Sequence, residues 1–213
     1  MKIEIKSATK EIKGNTVLQN INLTFDAGKI YGLQGVNGSG KTMLLRLIAG
    51  LIKPTEGKVI IDNQVLGSGL DFPKKMGLLI EGPAFLNDYS AFNNIKLICS
   101  LSNVVSDSEI FDALAAVGLN PKDKKPYKKF SLGMKQKLGI CAATVEKPEL
   151  ILLDEPTNAL DAAGFEMVEN LLIRMKEMGS TIIIASHELQ LLANFTDEVI
   201  FLENGKVIQK EDK

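Results

Sequence analysis

Gly35-Val36-Asn37-Gly38-Ser39-Gly40-Lys41-Thr42 is the stretch on which the reading of this chain turns. It has the spelling G-x-x-x-x-G-K-[ST], a phosphate-binding loop, and it lies between an apolar segment, residues 29–34, and a helix-like run, residues 43–49. That strand–loop–helix setting is what the motif requires. Glycines leave no Cβ in the way, so backbone N–H groups can turn inward around a polyphosphate. The helix that follows Gly40 adds its positive dipole end and its unpaired N–H donors. Lys41 supplies a point charge for the β- and γ-phosphates, and the Thr42 hydroxyl can ligate Mg²⁺. The backbone from Gly35 to Met43 (Gly35, Val36, Asn37, Gly38, Ser39, Gly40, Lys41, Thr42, Met43) is the candidate nucleotide cradle. The bland alternative, a glycine-rich turn with an exposed lysine, fits the flanking strand and helix patterns poorly.

The chain of 213 residues can bury a full core as one domain, or as one domain with an inserted lobe. It is 45% hydrophobic and 24% charged with a net charge of −1, which argues against a nucleic-acid binder driven by a basic surface. No apolar run approaches the roughly 18–20 residues needed to span a bilayer, and Met1-Lys2-Ile3-Glu4-Ile5 reads as an alternating strand, not a signal peptide. Cys99 and Cys141 have no ligand-like spacing to other Cys or His, so they are expected to be buried thiols in a reducing cytoplasm.

Around the loop the pattern is mixed. Residues 3–25 alternate as β-strands, and residues 53–57 turn the chain into a strand at 58–62. These antiparallel strands beside the nucleotide strand differ from the plain alternating β/α order of a small nucleotide kinase. A strand at 76–80 follows, and from Ser90 to about Val145 the chain turns helical. There Ser106-Asp107-Ser108-Glu109 is a capping box opening a helix that runs to Val117 and stops at Gly118. The lysine-rich connection 122–129 has little aromatic interleaving and reads as a solvated loop. The expectation is an α/β phosphate-loop NTPase core with a mostly parallel sheet, from 1–80 and 146–213, with an antiparallel β subdomain near the N-terminus. A helical subdomain would be inserted at about 85–145. After 145, strands are expected at 150–153, 181–185, 198–202 and 206–209, helices at 161–178 and 188–195, and a hairpin at Asn204-Gly205.

An apolar strand ending in Asp154-Glu155 is what a phosphate-loop ATPase needs beside its loop. Asp154 would reach the Mg²⁺ side of the nucleotide, and Glu155 would be free to orient and polarise the attacking water. His187 is the single histidine, and a lone histidine is usually structural. Here it follows the buried strand 182–186 and so stands at the sheet edge where α/β folds bind ligands, which favours contact with the γ-phosphate or the water.

With these residues in place, the chain resembles the nucleotide-binding subunit of an ATP-binding cassette (ABC) transporter over essentially its whole length. Phe130-Ser131-Leu132-Gly133-Met134-Lys135-Gln136 is similar to the family's signature sequence. Leu150–Glu155 resembles its second nucleotide motif, Asn158-Ala159-Leu160-Asp161 the loop that follows, and His187 its switch histidine. The resemblance implies ATP and Mg²⁺ as ligands, with Ser131, Gly133 and Gln136 contacting nucleotide. It also implies a head-to-tail dimer in which Ser131 of one copy caps the γ-phosphate held by Lys41 of the other. It further implies a separate membrane-spanning permease, a place on the inner face of the membrane, and no nucleic-acid partner. Three departures stand out. Glu81 occupies the usual place of Gln and is a further candidate Mg²⁺ or water ligand. The signature lacks its usual second glycine, Leu132 preceding Gly133. Ile12 or a neighbour takes the place of the aromatic residue that stacks on adenine. Glu81 and the variant signature resemble exporters linked to bacitracin, lantibiotic and bacteriocin immunity in Gram-positive bacteria. Soluble cassettes acting on ribosomes or DNA, and a regulatory module without turnover, are the rival readings.

Overall fold

The computed structural model describes residues 1–102, 105–187 and 195–212. Two sheets carry the strands. In the first, β1 (Ile3–Ile12), β2 (Asn15–Phe25), β4 (Glu56–Ile61) and β5 (Gln64–Val65) pair antiparallel in the order β2-β1-β4-β5. The second has six strands. Its members are β3 (Ile30–Gln34), β6 (Met76–Leu79), β7 (Leu150–Asp154), β8 (Thr181–Ser186), β9 (Glu198–Glu203) and β10 (Lys206–Asp212), in the order β10-β9-β3-β8-β7-β6. Every neighbouring pair is parallel except the β9–β10 hairpin.

The three central strands are buried along their whole length, which is why they read as unbroken apolar runs. Side chains still alternate between the faces, and each face feeds its own core. Ile30, Ile151, Leu153, Ile182 and Ile184 face one cluster, built up by α2 (Ala91–Cys99), α3 (Asp107–Ala116), α4 (Leu132–Thr144) and α5 (Ala162–Glu177). Tyr31, Leu33, Leu150, Leu152, Ile183 and Ala185 face the other, which holds the apolar side of α1 (Lys41–Ile48) and the inner face of the antiparallel sheet. The helix that starts at the phosphate loop is therefore clamped between two sheets. Leu44, Leu45, Leu47 and Ile48 show no exposed surface, and truncating one of them to Ala would cost about 2–5 kcal/mol.

The local signals that set the element ends hold in detail. Gly50 closes α1 with φ +78°, and Ser106 and Glu109 complete both hydrogen bonds of the capping box at α3. Asp161 caps α5 through Gly164 N, and Gly179 ends it with φ +96°. β4 starts at Glu56, earlier than the expected 58, because pairing with β1 extends through the turn residues. β10 runs to Asp212 because β9 offers it a partner for that length. The helix expected at 188–195 lies outside the described residues but for Phe195. α2, α3 and α4 pack on one another, and α4 also crosses β6 closely. A Cβ on Gly77 would come within 1.7 Å of Ala143 O, so the strand can pass only as glycine. Cys99 and Cys141 are both buried free thiols, and burial pushes Cys99 up to about 11 and Cys141 higher still. Both are inert packing groups in this state.

Candidate functional site

β3 delivers the chain to the loop 35–40, and α1 leaves it. Gly40 is the residue before the helix and has φ +109°, a left-handed conformation that L side chains rarely adopt. It is also hemmed in, since a Cβ there would lie 3.2 Å from Val17 O and 3.3 Å from Gly205 Cα. No side chain caps α1, so the donors of its first turn are left to whatever enters the loop. Lys41 is 6% exposed and folds back over the loop, its Nζ donating to Gly35 O at 2.6 Å and Val36 O at 3.2 Å. These two carbonyls hold the ammonium at the loop's mouth, over the space a phosphate would take.

β7 and β8 complete the site from behind. Thr42 Oγ1 donates to Asp154 Oδ2 at 2.7 Å, joining the loop to the end of β7. Burial raises the pKa of the Asp154 carboxyl, the Thr42 hydrogen bond opposes this, and the charge of Glu155 adds to the rise. A divalent cation would reverse that balance, so Thr42 and Asp154 form an oxygen-donor pair suited to Mg²⁺. Glu155 sits just past the strand with φ +47°. Three bonds hold it: its N–H donates to Ala185 O at 2.8 Å, Gln136 Nε2 donates to its carbonyl at 3.0 Å, and Oε1 lies 2.9 Å from His187 Nδ1. Its other oxygen, Oε2, is buried with no partner among the described residues, as is Ser39 Oγ of the loop. An acceptor in that state is set for a proton donor such as water.

Gly35, Val36 and His187 line a cavity of about 470 Å³, and a separate one of about 520 Å³ meets the loop and both carboxylates. Asn37 to Met43, Asp154 and Glu155 line it on the loop side, and Thr16, Val17, Asn204 and Gly205 line it elsewhere. The structure thus brings Lys41, Thr42, Asp154 and Glu155 to one cavity and ties His187 to them through Glu155. Other candidates lie elsewhere. Gln136 does not line the cavity and instead steadies the Glu155 turn. Ser131 is an exposed cap of α4, its Oγ accepting from Met134 N at 3.2 Å, and a Cβ on Gly133 would meet Ala159 O at 2.8 Å. Glu81 has φ +62°, is paired with Arg46 of α1 and stands outside the cavity lining. Ile12 is 38% exposed and does not line the cavity either. Thr16, Val17 and Asn204 are lining residues that the sequence reading missed; the Asn-Gly pair had signalled only a hairpin.

The ABC transporter family profile matches residues 18–158. The chain is 46% identical to the uncharacterised ABC transporter ATP-binding protein YybJ of Bacillus subtilis (strain 168), over 99% of each chain. It is 37% identical to the lantibiotic transport ATP-binding protein SrtF of Streptococcus pyogenes, over 99% of this chain and 90% of that one. With the bacitracin transport ATP-binding protein BcrA of Enterococcus faecalis it shares 36% identity, over 98% of this chain and 68% of that one. Among solved structures, a bacterial ABC transporter cassette in dimeric form superposes with a TM-score of 0.89 at 27% identity, covering 99% of this chain and 98% of that one. A post-hydrolysis cassette bound to ADP and Pi gives 0.88 at 26% identity, with the same coverage.

Proposed function

The chain belongs to the ABC transporter family, and from that premise we propose that it binds and hydrolyses ATP to power transport through a separate membrane-spanning subunit. The observation that carries this reading is the interlock of loop and carboxylates: Thr42 on Asp154, with Glu155 aimed by His187 beside a helix start that no side chain caps. The loop amides and Lys41 hold the triphosphate. Thr42 and Asp154 hold Mg²⁺, which supplies positive charge against the phosphate oxygens when bound. Glu155 Oε2 accepts a proton from the attacking water and orients it toward the γ-phosphorus. His187, bonded to Oε1, fixes the carboxylate's direction and faces the γ-phosphate.

Ser131 is not placed to touch a nucleotide held in its own chain's cavity, but it stands at an exposed helix start. We assign it to the γ-phosphate bound by a second copy, so that ATP lies in the interface and its hydrolysis loosens the pair. No helix among the described residues is long and apolar enough to cross a membrane; on this reading the span belongs to the permease, with this chain on its inner face. The kinship with lantibiotic and bacitracin transport proteins favours export.

The test is Glu155→Gln. Turnover should fall by about 10²–10⁴ while ATP still binds, and light scattering should show an ATP-dependent shift from monomer to dimer. Turnover at the unmodified rate would remove Glu155 from its role. A variant that binds ATP yet stays monomeric at high concentration would remove the shared-site dimer.

A further inference from the structure

The cavity has a half that phosphate chemistry does not use. Thr16 and Val17 of β2, with Asn204 and Gly205 of the β9–β10 turn, line it beyond the loop and the carboxylates. Their position relative to the loop is fixed. Gly205 N donates to Ser39 O at 2.9 Å, and Gln19 N donates to Gly205 O at 2.8 Å, so the turn is tied to the phosphate loop on one side and to β2 on the other. With phosphates in the loop and Asp154 and Glu155 taken up by cation and water, the base of a nucleotide is left with this half. None of the four residues is aromatic, and Ile12 stands outside the lining. Stacking on an aromatic face therefore cannot supply base recognition within this cavity.

Resting on the ATPase reading above, we propose that Asn204 is a specificity-determining residue that reads the edge of the base and selects adenine over guanine. A side-chain amide sets an acceptor oxygen beside a donor NH₂. Adenine offers the matching edge, the N6 amino donor beside the N7 acceptor, whereas guanine offers two acceptors, O6 and N7, and leaves the amide oxygen facing one of them. Val17, half-buried, supplies apolar surface for the ring. Asn204 has φ +48° in an Asn-Gly hairpin, and that conformation alone would accept Asn, Asp or Gly. The three residues are alike to the turn and different to a base, which makes the test clean.

Calorimetric titration of the full chain with ATP, GTP and inorganic tripolyphosphate in Mg²⁺ buffer reads the effect. The unmodified protein should prefer ATP to GTP by about tenfold. Asn204→Gly should bring that ratio close to one with tripolyphosphate affinity unchanged. Asn204→Asp should keep ATP ahead of GTP, because a carboxylate at the same place can accept from adenine N6 but faces two acceptors, O6 and N7, on guanine. The proposal is overturned if Asn204→Gly keeps the original ratio, if Asn204→Asp comes to prefer GTP, or if the unmodified protein shows no preference. It is also overturned if Asn204→Gly loses tripolyphosphate as well, because the turn would then only shape the loop. Binding of neither nucleotide nor tripolyphosphate by the unmodified protein is a different failure, that of the ATPase reading itself.

Discussion

α1 and α4 each present a helix start with small residues and a lysine nearby, yet the two starts are built in opposite ways. At α1 the residue before the helix is a left-handed glycine, no side chain caps the first turn, and Ser39 and Lys41 are only 2% and 6% exposed. At α4 the Ser131 hydroxyl already accepts from Met134 N, and Leu132 beside it is 73% exposed. The first start leaves donors unmet inside the molecule and so calls for an anion that the chain lacks. The second is already satisfied by its own cap and opens to the outside. On the function proposed above, one chain thus carries one phosphate site and contributes one half of another.

Lys41→Ala strikes the first site and carries the largest expected effect: ATP affinity should fall by about a hundredfold through loss of a charge-assisted contact, read by calorimetry. Retained affinity would mean that the loop amides alone hold the triphosphate. Ser131→Ala strikes the half site. The ATP-dependent dimer of the Glu155→Gln protein should weaken by about tenfold, while monomer ATP affinity stays within about twofold. If ATP affinity instead drops as far as with Lys41→Ala, the division between the two starts is wrong. The same substitution removes the α4 cap at a cost of about 1 kcal/mol, visible as a lower Tm.

The smallest effect sharpens the comparison through pH. Burial raises the Asp154 pKa in the folded chain above its unfolded value. Below the unfolded value the carboxyl is neutral in both states and has no bearing on stability. As pH rises through the folded-state pKa, the buried group must charge against its surroundings and stability is lost. Asp154→Asn, which can still accept from Thr42, should therefore raise the Tm of the nucleotide- and Mg²⁺-free protein by a few degrees at pH 7. That gain should disappear toward pH 4. A gain of equal size at both ends of the pH range would assign it to packing instead of charge.

How much of this was legible in the sequence divides along the range of the interactions. The loop, the Asp154-Glu155 strand end and the caps at Ser106, Asp161 and Gly179 are local patterns, and each stands where its pattern puts it. His187 was legible because a buried, largely apolar strand fixes which edge the residue after it reaches. The rest depends on chain segments meeting from afar. Arg46 meets Glu81, Gln136 reaches the Glu155 carbonyl, and the Asn204-Gly205 turn packs on Gly40. No periodicity encodes these meetings; the last of them follows from the strand order, in which β9 enters beside β3. Ile12 shows the same limit, since distance from the loop along the chain did not say which β residues the cavity would meet.

The tie between Gly205 and Ser39 has a consequence for the order in which the molecule is made. A ribosome releases the phosphate loop well before both strands that flank β3 and the turn that braces the loop. Until then the nascent loop lacks the strands beside β3 and the bond from Gly205 N to Ser39 O. A chain that has not yet made the β9–β10 hairpin therefore carries the whole phosphate-loop motif without the brace that positions it.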